Sequence, residues 1–171
     1  MKKAEKEQLK KIKLILTDVD GVLTDGGRYY SEKGEIIKKF HVRDGMGINI
    51  LLRNGISTAI VTKENSRIVK KWAIEMNVSK VYSGLKVKEK KLDKICKDFQ
   101  VSPSEIAFIG DDVNDIELMK KVGFAATPYD GVLHVKKIVN YVCKSSGGNG
   151  AVREIGDLIL KEIFPNKKNW Y

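Results

Sequence analysis

The sequence predicts an α/β layer fold built on a mainly parallel sheet, and two observations carry that expectation. Short apolar, β-branched runs alternate with longer segments of helical period, the pattern of strand–helix–strand units. Acidic residues stand just beyond two of those apolar runs, where an open parallel sheet presents its functional groups in the crevice at the strands' carboxyl ends.

In chain order, the opening "MKKAEKEQLKKIK" is charged and lacks the apolar stretch of a signal peptide. A strand is expected over Lys13–Thr17. Gly26–Val42 then breaks the alternation, with two short extended runs around Lys33-Gly34 that predict a β-hairpin. Helices are expected over Gly45–Arg53, Ser66–Met76, Lys88–Phe99, Ile116–Lys121 and Val152–Ile163, and further strands over Ser57–Val61, Lys80–Tyr82, Ile106–Ile109 and Gly123–Ala126. In "VSPSEI", Ser102 is a capping residue, Pro103 suits the first helical position and Glu105 closes a capping box, so a short helical turn precedes the Ile106 strand. The Gly-rich "SSGGNGAVRE" (Ser145–Glu154) reads as a flexible stretch ending in a helix start. No repeat, low-complexity tract or linker divides the 171 residues, which read as one domain, 1–171, with its hairpin at about 26–42 and a C-terminal tail at about 145–171.

Hydrophobic residues at 42% and charged residues at 32% fit a globular protein with a real core. The 32 Lys+Arg against 22 Asp+Glu leave a net charge of +10, which suits an anionic partner: a phosphorylated metabolite, nucleic acid or a membrane surface. The basic residues are mostly Lys scattered among acids, denser at Lys86–Lys91 and Lys167–Lys168. That pattern favours a solvated face over a nucleic-acid surface, which wants clustered basic and aromatic groups. No segment approaches the roughly 20 apolar residues of a membrane span. Cys96 and Cys143 are too few for a disulfide framework and fit a reducing compartment, so a cytoplasmic location is expected, with neither nucleic acid nor membrane as partner.

The stretch "TDVDGVLTD" concentrates the chemistry, for it places Asp18, Asp20 and Asp25 straight after a buried strand, where mutual repulsion and desolvation both oppose their charges. Strand alternation points Asp18 and Asp20 the same way and Val19 into the core, and Gly21 permits a sharp turn. Neighbouring carboxylates persist if a cation binds, or if one keeps its proton and serves as a general acid. A second cluster follows another strand: "GDDVND" offers Asp111, Asp112 and Asp115. Two such strands side by side would form an oxygen-rich pocket suited to Mg²⁺. A third strand end carries Thr62, a hydroxyl suited to a phosphate oxygen, and Lys88 opens the helix after the fourth strand, ready to offset phosphate charge.

This ordered set resembles the haloacid dehalogenase superfamily of phosphotransferases. "DVDGVLTD" is similar to its first motif, Thr62 to its second, Lys88 to its third and "GDDVND" to its fourth; "FHVRDGMGI" and "GGNGAVRE" resemble its capless sugar-acid phosphatases. The match runs from about Lys13 to Ile163. The resemblance implies a Rossmann-like three-layer fold with a β-hairpin protrusion and no cap domain. It also implies Mg²⁺-dependent hydrolysis of a phosphorylated 2-keto-3-deoxy sugar acid, with 3-deoxy-D-manno-octulosonate 8-phosphate first and a nine-carbon N-acylneuraminate 9-phosphate as the alternative. Asp18 would be the nucleophile and Asp20 the general acid and base. Asp18, the Asp20 backbone carbonyl and Asp111 would hold the metal, Thr62 and Lys88 the phosphoryl group, and Asp112 and Asp115 would orient metal waters or Lys88. Arg43, Asp44, Glu64 and Arg153 are candidate substrate contacts. Such enzymes are homotetramers in which hairpins pair across subunits, and the Arg-bearing tail Gly147–Arg153 would lie over an active site. The second motif departs from the pattern: it reads "TKEN", so Lys63 and Glu64 stand where Gly-Arg is usual, which removes a fixed donor fork and reverses a charge.

Other classes are less well served. A signalling receiver also uses acidic strand ends and Mg²⁺, but it has no need of a second Asp two residues after the first. Asp25 is expected to cap or brace its turn. His41 is expected at a surface or subunit contact, His134 in solvent on a helix, and Asp44 as a helix cap if it does not face substrate. Trp72 should pack, Trp170 and Tyr171 should belong to a frayed terminus or a subunit contact, and both cysteines should be small core residues.

Overall fold

The structure is a computed structural model that describes residues 1–167, 169 and 170. The chain runs α1 (Lys3–Leu9), β1 (Leu14–Thr17), β2 (Tyr29–Ser31), β3 (Gly34–Ile37), α2 (Val42–Arg53), β4 (Ser57–Val61), α3 (Arg67–Glu75), β5 (Lys80–Tyr82), α4 (Leu92–Phe99), β6 (Ile106–Ile109), α5 (Ile116–Met119), β7 (Phe124–Thr127), α6 (Leu133–Lys136), β8 (Tyr141–Val142) and α7 (Ala151–Ile163). Six strands form one parallel sheet in the order β5-β4-β1-β6-β7-β8, and β2 with β3 forms a separate antiparallel hairpin. This is the expected α/β architecture with its hairpin. None of the described helices is long and apolar enough to cross a membrane.

The strands read as unbroken apolar runs because both sheet faces are covered. Side-chain alternation sends Ile15 of β1 to one side, among Ile48 and Leu51 of α2, Val69 of α3, and Ile155 and Ile159 of α7. Leu14 and Leu16 go to the other, among Leu92 and Ile95 of α4 and Leu118 and Met119 of α5. All of these side chains are buried, and each contributes roughly 1.5–3 kcal/mol through transfer from water.

Two elements, α1 and β8, were not expected from sequence, and the helix expected at His134 is a single turn, α6. The charged opening forms α1, anchored by the fully buried Leu9; His134 of α6 is exposed; β8 is only two residues long. Each is too short for a periodic signal to emerge. The expected Lys88–Phe99 helix begins as a 3₁₀ turn over Lys88–Lys91, and the hairpin turn lies one residue earlier, because Ser31 pairs with Gly34. The short turn at Pro103–Glu105 forms with its capping box as expected. Trp170 is not frayed: it packs against the core, and its carbonyl accepts from Asn54 Nδ2 at 3.0 Å. Tyr171 and Lys168 lie outside the described residues.

Register positions the site. Leu14 of β1 is level with Ser57 of β4 and Ile106 of β6, and Thr17 is level with Ile60 and Ile109. The Asp18 amide extends the ladder by donating to the Ile109 carbonyl at 2.9 Å. The chain segments after β1, β4 and β6 therefore leave the sheet at one edge.

Candidate active site

At that edge Asp18, Asp111 and Asp115 each present a carboxylate oxygen within 4.8 Å of the others. Lys88 enters from the far side of β4 and places Nζ 2.7 Å from Asp18 Oδ2 and 2.6 Å from Asp115 Oδ1. Asp115 is fully buried and Lys88 is 1% exposed, so this charge pair has left water altogether. Burial works against the Lys88 cation, yet the Asp18 and Asp115 carboxylates reverse that and hold its pKa above the ordinary lysine value. Asp115 Oδ2 accepts from the Asp111 amide at 3.0 Å and the Asp112 amide at 3.4 Å, so Asp115 braces both the loop and Lys88. Asp112 caps the 3₁₀ turn by accepting from the Val113 amide at 2.7 Å.

Asp18 Oδ1 accepts from the Val19 amide at 2.7 Å, which fixes the carboxylate. Burial pushes its pKa up to about 6 against the pull of Lys88. Asp111 is less well provided for. Its Oδ1 is buried with no hydrogen-bond partner, and burial together with the charges of Asp18, Asp115 and Asp112 pushes its pKa up to about 8. A hard divalent cation is the partner this donor set fits, since it would satisfy the orphaned oxygen and offset the crowded charge. Thr62, 2% exposed, stands at the end of β4, where its Oγ1 accepts from the Glu64 amide at 3.3 Å and its own proton stays available to donate.

Asp20 leaves this cluster. Its carboxylate meets the hairpin, with Oδ1 paired to Lys38 Nζ and Oδ2 3.4 Å from Arg28 Nη2. The Lys38 side chain is wholly buried and also lies 2.8 Å from Glu35 Oε1. Neither cation was singled out from sequence. "IIKK" reads as an ordinary polar-edged strand, and only the folding of the hairpin over the β1 loop brings its lysine to Asp20. Asp20, Arg28, Thr62, Lys63, Glu64 and Asp112 help to line a cavity of about 360 Å³ above the Asp18–Asp111 floor.

Two loops must touch for this geometry to hold. Gly21 has φ +86°, and a Cβ there would fall 2.1 Å from Asp111 Oδ2, so only glycine lets the two acidic loops close on each other. The "GGNG" stretch is packed, not flexible. A Cβ at Gly147 would meet the Gly21 carbonyl oxygen at 2.1 Å, and the Gly148 amide donates to the Val22 carbonyl at 2.9 Å. The tail thus buttresses the loop after β1 from behind.

The remaining sequence candidates lie elsewhere. Asp44 does not cap its own helix, because His41 Nδ1 takes that place by accepting from the Arg43 amide at 3.2 Å. Fully buried Asp44 instead caps α7 across the fold, accepting from the Gly150 amide at 3.1 Å and the Arg153 amide at 2.9 Å. Within one chain Arg43 and Arg153 line a separate cleft, and Arg153 Nε pairs with Asp157 Oδ1 at 2.8 Å. Asp25 braces its turn, accepting from the Gly27 amide at 3.1 Å and Lys39 Nζ at 3.2 Å. Trp72 stacks on Phe40 with ring centroids 4.4 Å apart. Cys143 is buried and Cys96 half-buried, and burial raises the pKa of both thiols.

Comparison with known proteins finds relatives that share most of the chain. A family model described as haloacid dehalogenase-like hydrolase matches residues 53–155. The chain is 37% identical over 155 residues to 3-deoxy-D-manno-octulosonate 8-phosphate phosphatase KdsC of Haemophilus influenzae, covering 91% of this chain and 86% of that protein. Among solved structures, the 3-deoxy-D-manno-octulosonate 8-phosphate phosphatase of Yersinia pestis superposes with a TM-score of 0.91 at 34% identity, covering 94% of this chain and 87% of that one. That of Moraxella catarrhalis, in complex with magnesium ion, phosphate ion and a KDO molecule, superposes with a TM-score of 0.88 at 36% identity over 92% of this chain and 90% of that one.

Proposed function

The chain belongs to the haloacid dehalogenase-like hydrolase family, and from that premise we propose that it is a Mg²⁺-dependent phosphatase releasing inorganic phosphate from 3-deoxy-D-manno-octulosonate 8-phosphate. One observation carries the reading: a buried, Lys-paired carboxylate at the end of β1 faces the unpartnered oxygen of a second carboxylate at the end of β6.

Asp18 attacks phosphorus, its P–O bond forming as the bond to the sugar oxygen breaks. Asp20 gives its proton to the departing sugar oxygen, then takes one from the water that attacks the aspartyl-phosphate, so that phosphate leaves and both carboxylates are restored. Thr62 and Lys88 hold the phosphoryl oxygens, and Asp115 keeps Lys88 aimed. Asp18, Asp111 and the Asp20 backbone carbonyl are the groups that would hold Mg²⁺, which when bound neutralises phosphate charge and favours in-line transfer. Asp112 orients the loop beside them.

Tyr29, Tyr30, Ile36 and Ile37 of the hairpin are all more than half exposed, an apolar edge that supports pairing of hairpins in a homotetramer. Free thiols fit a cytoplasmic location. The test is phosphate release with Mg²⁺ from the eight-carbon and the nine-carbon acid phosphates, with the mass of the active species read by light scattering in the same preparation. The eight-carbon ester should be the better substrate and the active species should have the mass of four chains. Preference for the nine-carbon ester would favour the alternative substrate, and an active monomer would sink the tetramer.

The acidic floor also sets a pH dependence. In the metal-free protein the Asp18 and Asp111 carboxyls titrate near 6 and near 8, well above the roughly 3.9 of an unfolded aspartate. Raised carboxyl values favour the protonated folded state, so this contribution to stability is full below about 4 and is lost as the pH rises to about 8. Thermal melts with chelator should show Tm falling between pH 5 and 8. Saturating Mg²⁺ should raise Tm more at pH 8 than at pH 5, because the metal needs the deprotonated carboxylates. Equal Mg²⁺ increments at both pH values would contradict the assignment of the ligands.

A further inference from the structure

The geometry points to Arg28 as the residue that binds the carboxylate of the sugar acid, a specificity role that rests on the phosphatase reading and that the second motif has given up. With Glu64 where an arginine is usual, the cavity wall would by sequence carry an extra negative charge. The structure reverses that expectation. Arg28, just before β2, reaches across the mouth and sets Nη2 3.2 Å from Glu64 Oε1 and 3.4 Å from Asp20 Oδ2. Its Nη1 donates to the Tyr30 hydroxyl at 3.3 Å, which orients the fork. A guanidinium is thus supplied from the hairpin to the neighbourhood that lost one.

The other cations near the cavity are poorly suited to the task. Lys88 is sealed in the floor between Asp18 and Asp115, and Lys38 is buried between Asp20 and Glu35. Among the described residues lining the cavity, Arg28 and Lys63 carry the positive charges. Only Arg28 offers a planar fork that matches a carboxylate in two parallel hydrogen bonds. Its side chain is 34% exposed and that of Glu64 43%, so their ion pair is open to solvent and costs little to exchange. Glu64 holds the fork in place until the substrate carboxylate displaces it, while the phosphate end reaches Asp18.

The test compares two phosphate esters, 3-deoxy-D-manno-octulosonate 8-phosphate and mannose 6-phosphate, which has no carboxylate. In Arg28→Met, the ratio of kcat/KM for the acid ester to that for the neutral ester should fall about 10- to 100-fold, mainly through KM of the acid ester. Arg28→Lys, which keeps the charge and loses the fork, should fall between. Glu64→Gln should lower KM for the acid ester, because the fork loses the nearer of its two carboxylate partners. Calorimetric binding of the free acid, 3-deoxy-D-manno-octulosonate, should weaken in Arg28→Met without any turnover being required. A parallel loss on both esters would overturn the proposal and leave Arg28 as a support for Asp20; an unchanged ratio would overturn it equally. If the unmodified protein releases phosphate from neither ester, nor from the nine-carbon acid phosphate, the phosphatase reading itself has failed.

Discussion

Asp18→Asn should reduce phosphate release by about 10⁴-fold or more, the scale on which loss of a covalent nucleophile is felt. The amide is nearly the same shape and can still accept from the Val19 amide, so the loop after β1 keeps its path. What it cannot do is form an acyl-phosphate, because its nitrogen is not nucleophilic and its oxygen carries no full charge. The fold should survive, since the substitution removes a carboxylate that burial already strains. Unchanged circular dichroism with turnover at background is the expected pair of results. Turnover near the wild-type rate in a folded Asp18→Asn protein would mean that another group, or water directly, attacks phosphorus.

Lys88→Met should abolish activity and also destabilise the protein by about 3–5 kcal/mol, the cost of leaving buried charge without its counter-ion. Lys88 is the shared partner of Asp18 and Asp115, at 2.7 Å and 2.6 Å, and is itself 1% exposed. Methionine keeps a stem of similar length and removes the ammonium, including its approach to the Phe108 ring at 6.0 Å from the centroid. Urea denaturation in chelator reads the effect. The double variant Lys88→Met with Asp115→Asn should recover part of the stability, since one of the orphaned carboxylates has been removed as well. Additive losses in the double variant would show that the two groups are not energetically coupled and that Lys88 serves only as packing.

How far the sequence could be read follows from the range of the interactions involved. Strand ends were legible because apolar runs of four or five residues stop where a polar group begins, as at Thr17–Asp18, Val61–Thr62 and Ile109–Gly110. The acidic clusters, the threonine and the lysine stood out for the same reason: each motif is a few adjacent residues, and parallel register puts the successive strand ends at one edge. The hairpin was visible from its Gly and its alternating runs, and its position was off by one because a two-residue turn can be drawn at either neighbour.

Contacts between distant loops were beyond that reach. Asp44 seemed a local helix cap by its position in "VRDG", yet it caps a helix that begins more than a hundred residues later. The glycines of "GGNG" read as slack, yet Gly147 has no room for a Cβ against the Gly21 backbone, nor Gly148 against that of Thr24 and Asp25. Lys38 and Arg28 carried no signal at all until the hairpin folded over Asp20 and Glu64. The amino-acid order by itself determined the layered sheet, the edge at which chemistry collects and the residue types available there, since side-chain period and strand polarity are local properties. Only the tertiary structure decided which charge neutralises which, because a pairing energy depends on the separation and burial of groups that the chain brings together late, through loops whose paths no periodicity encodes.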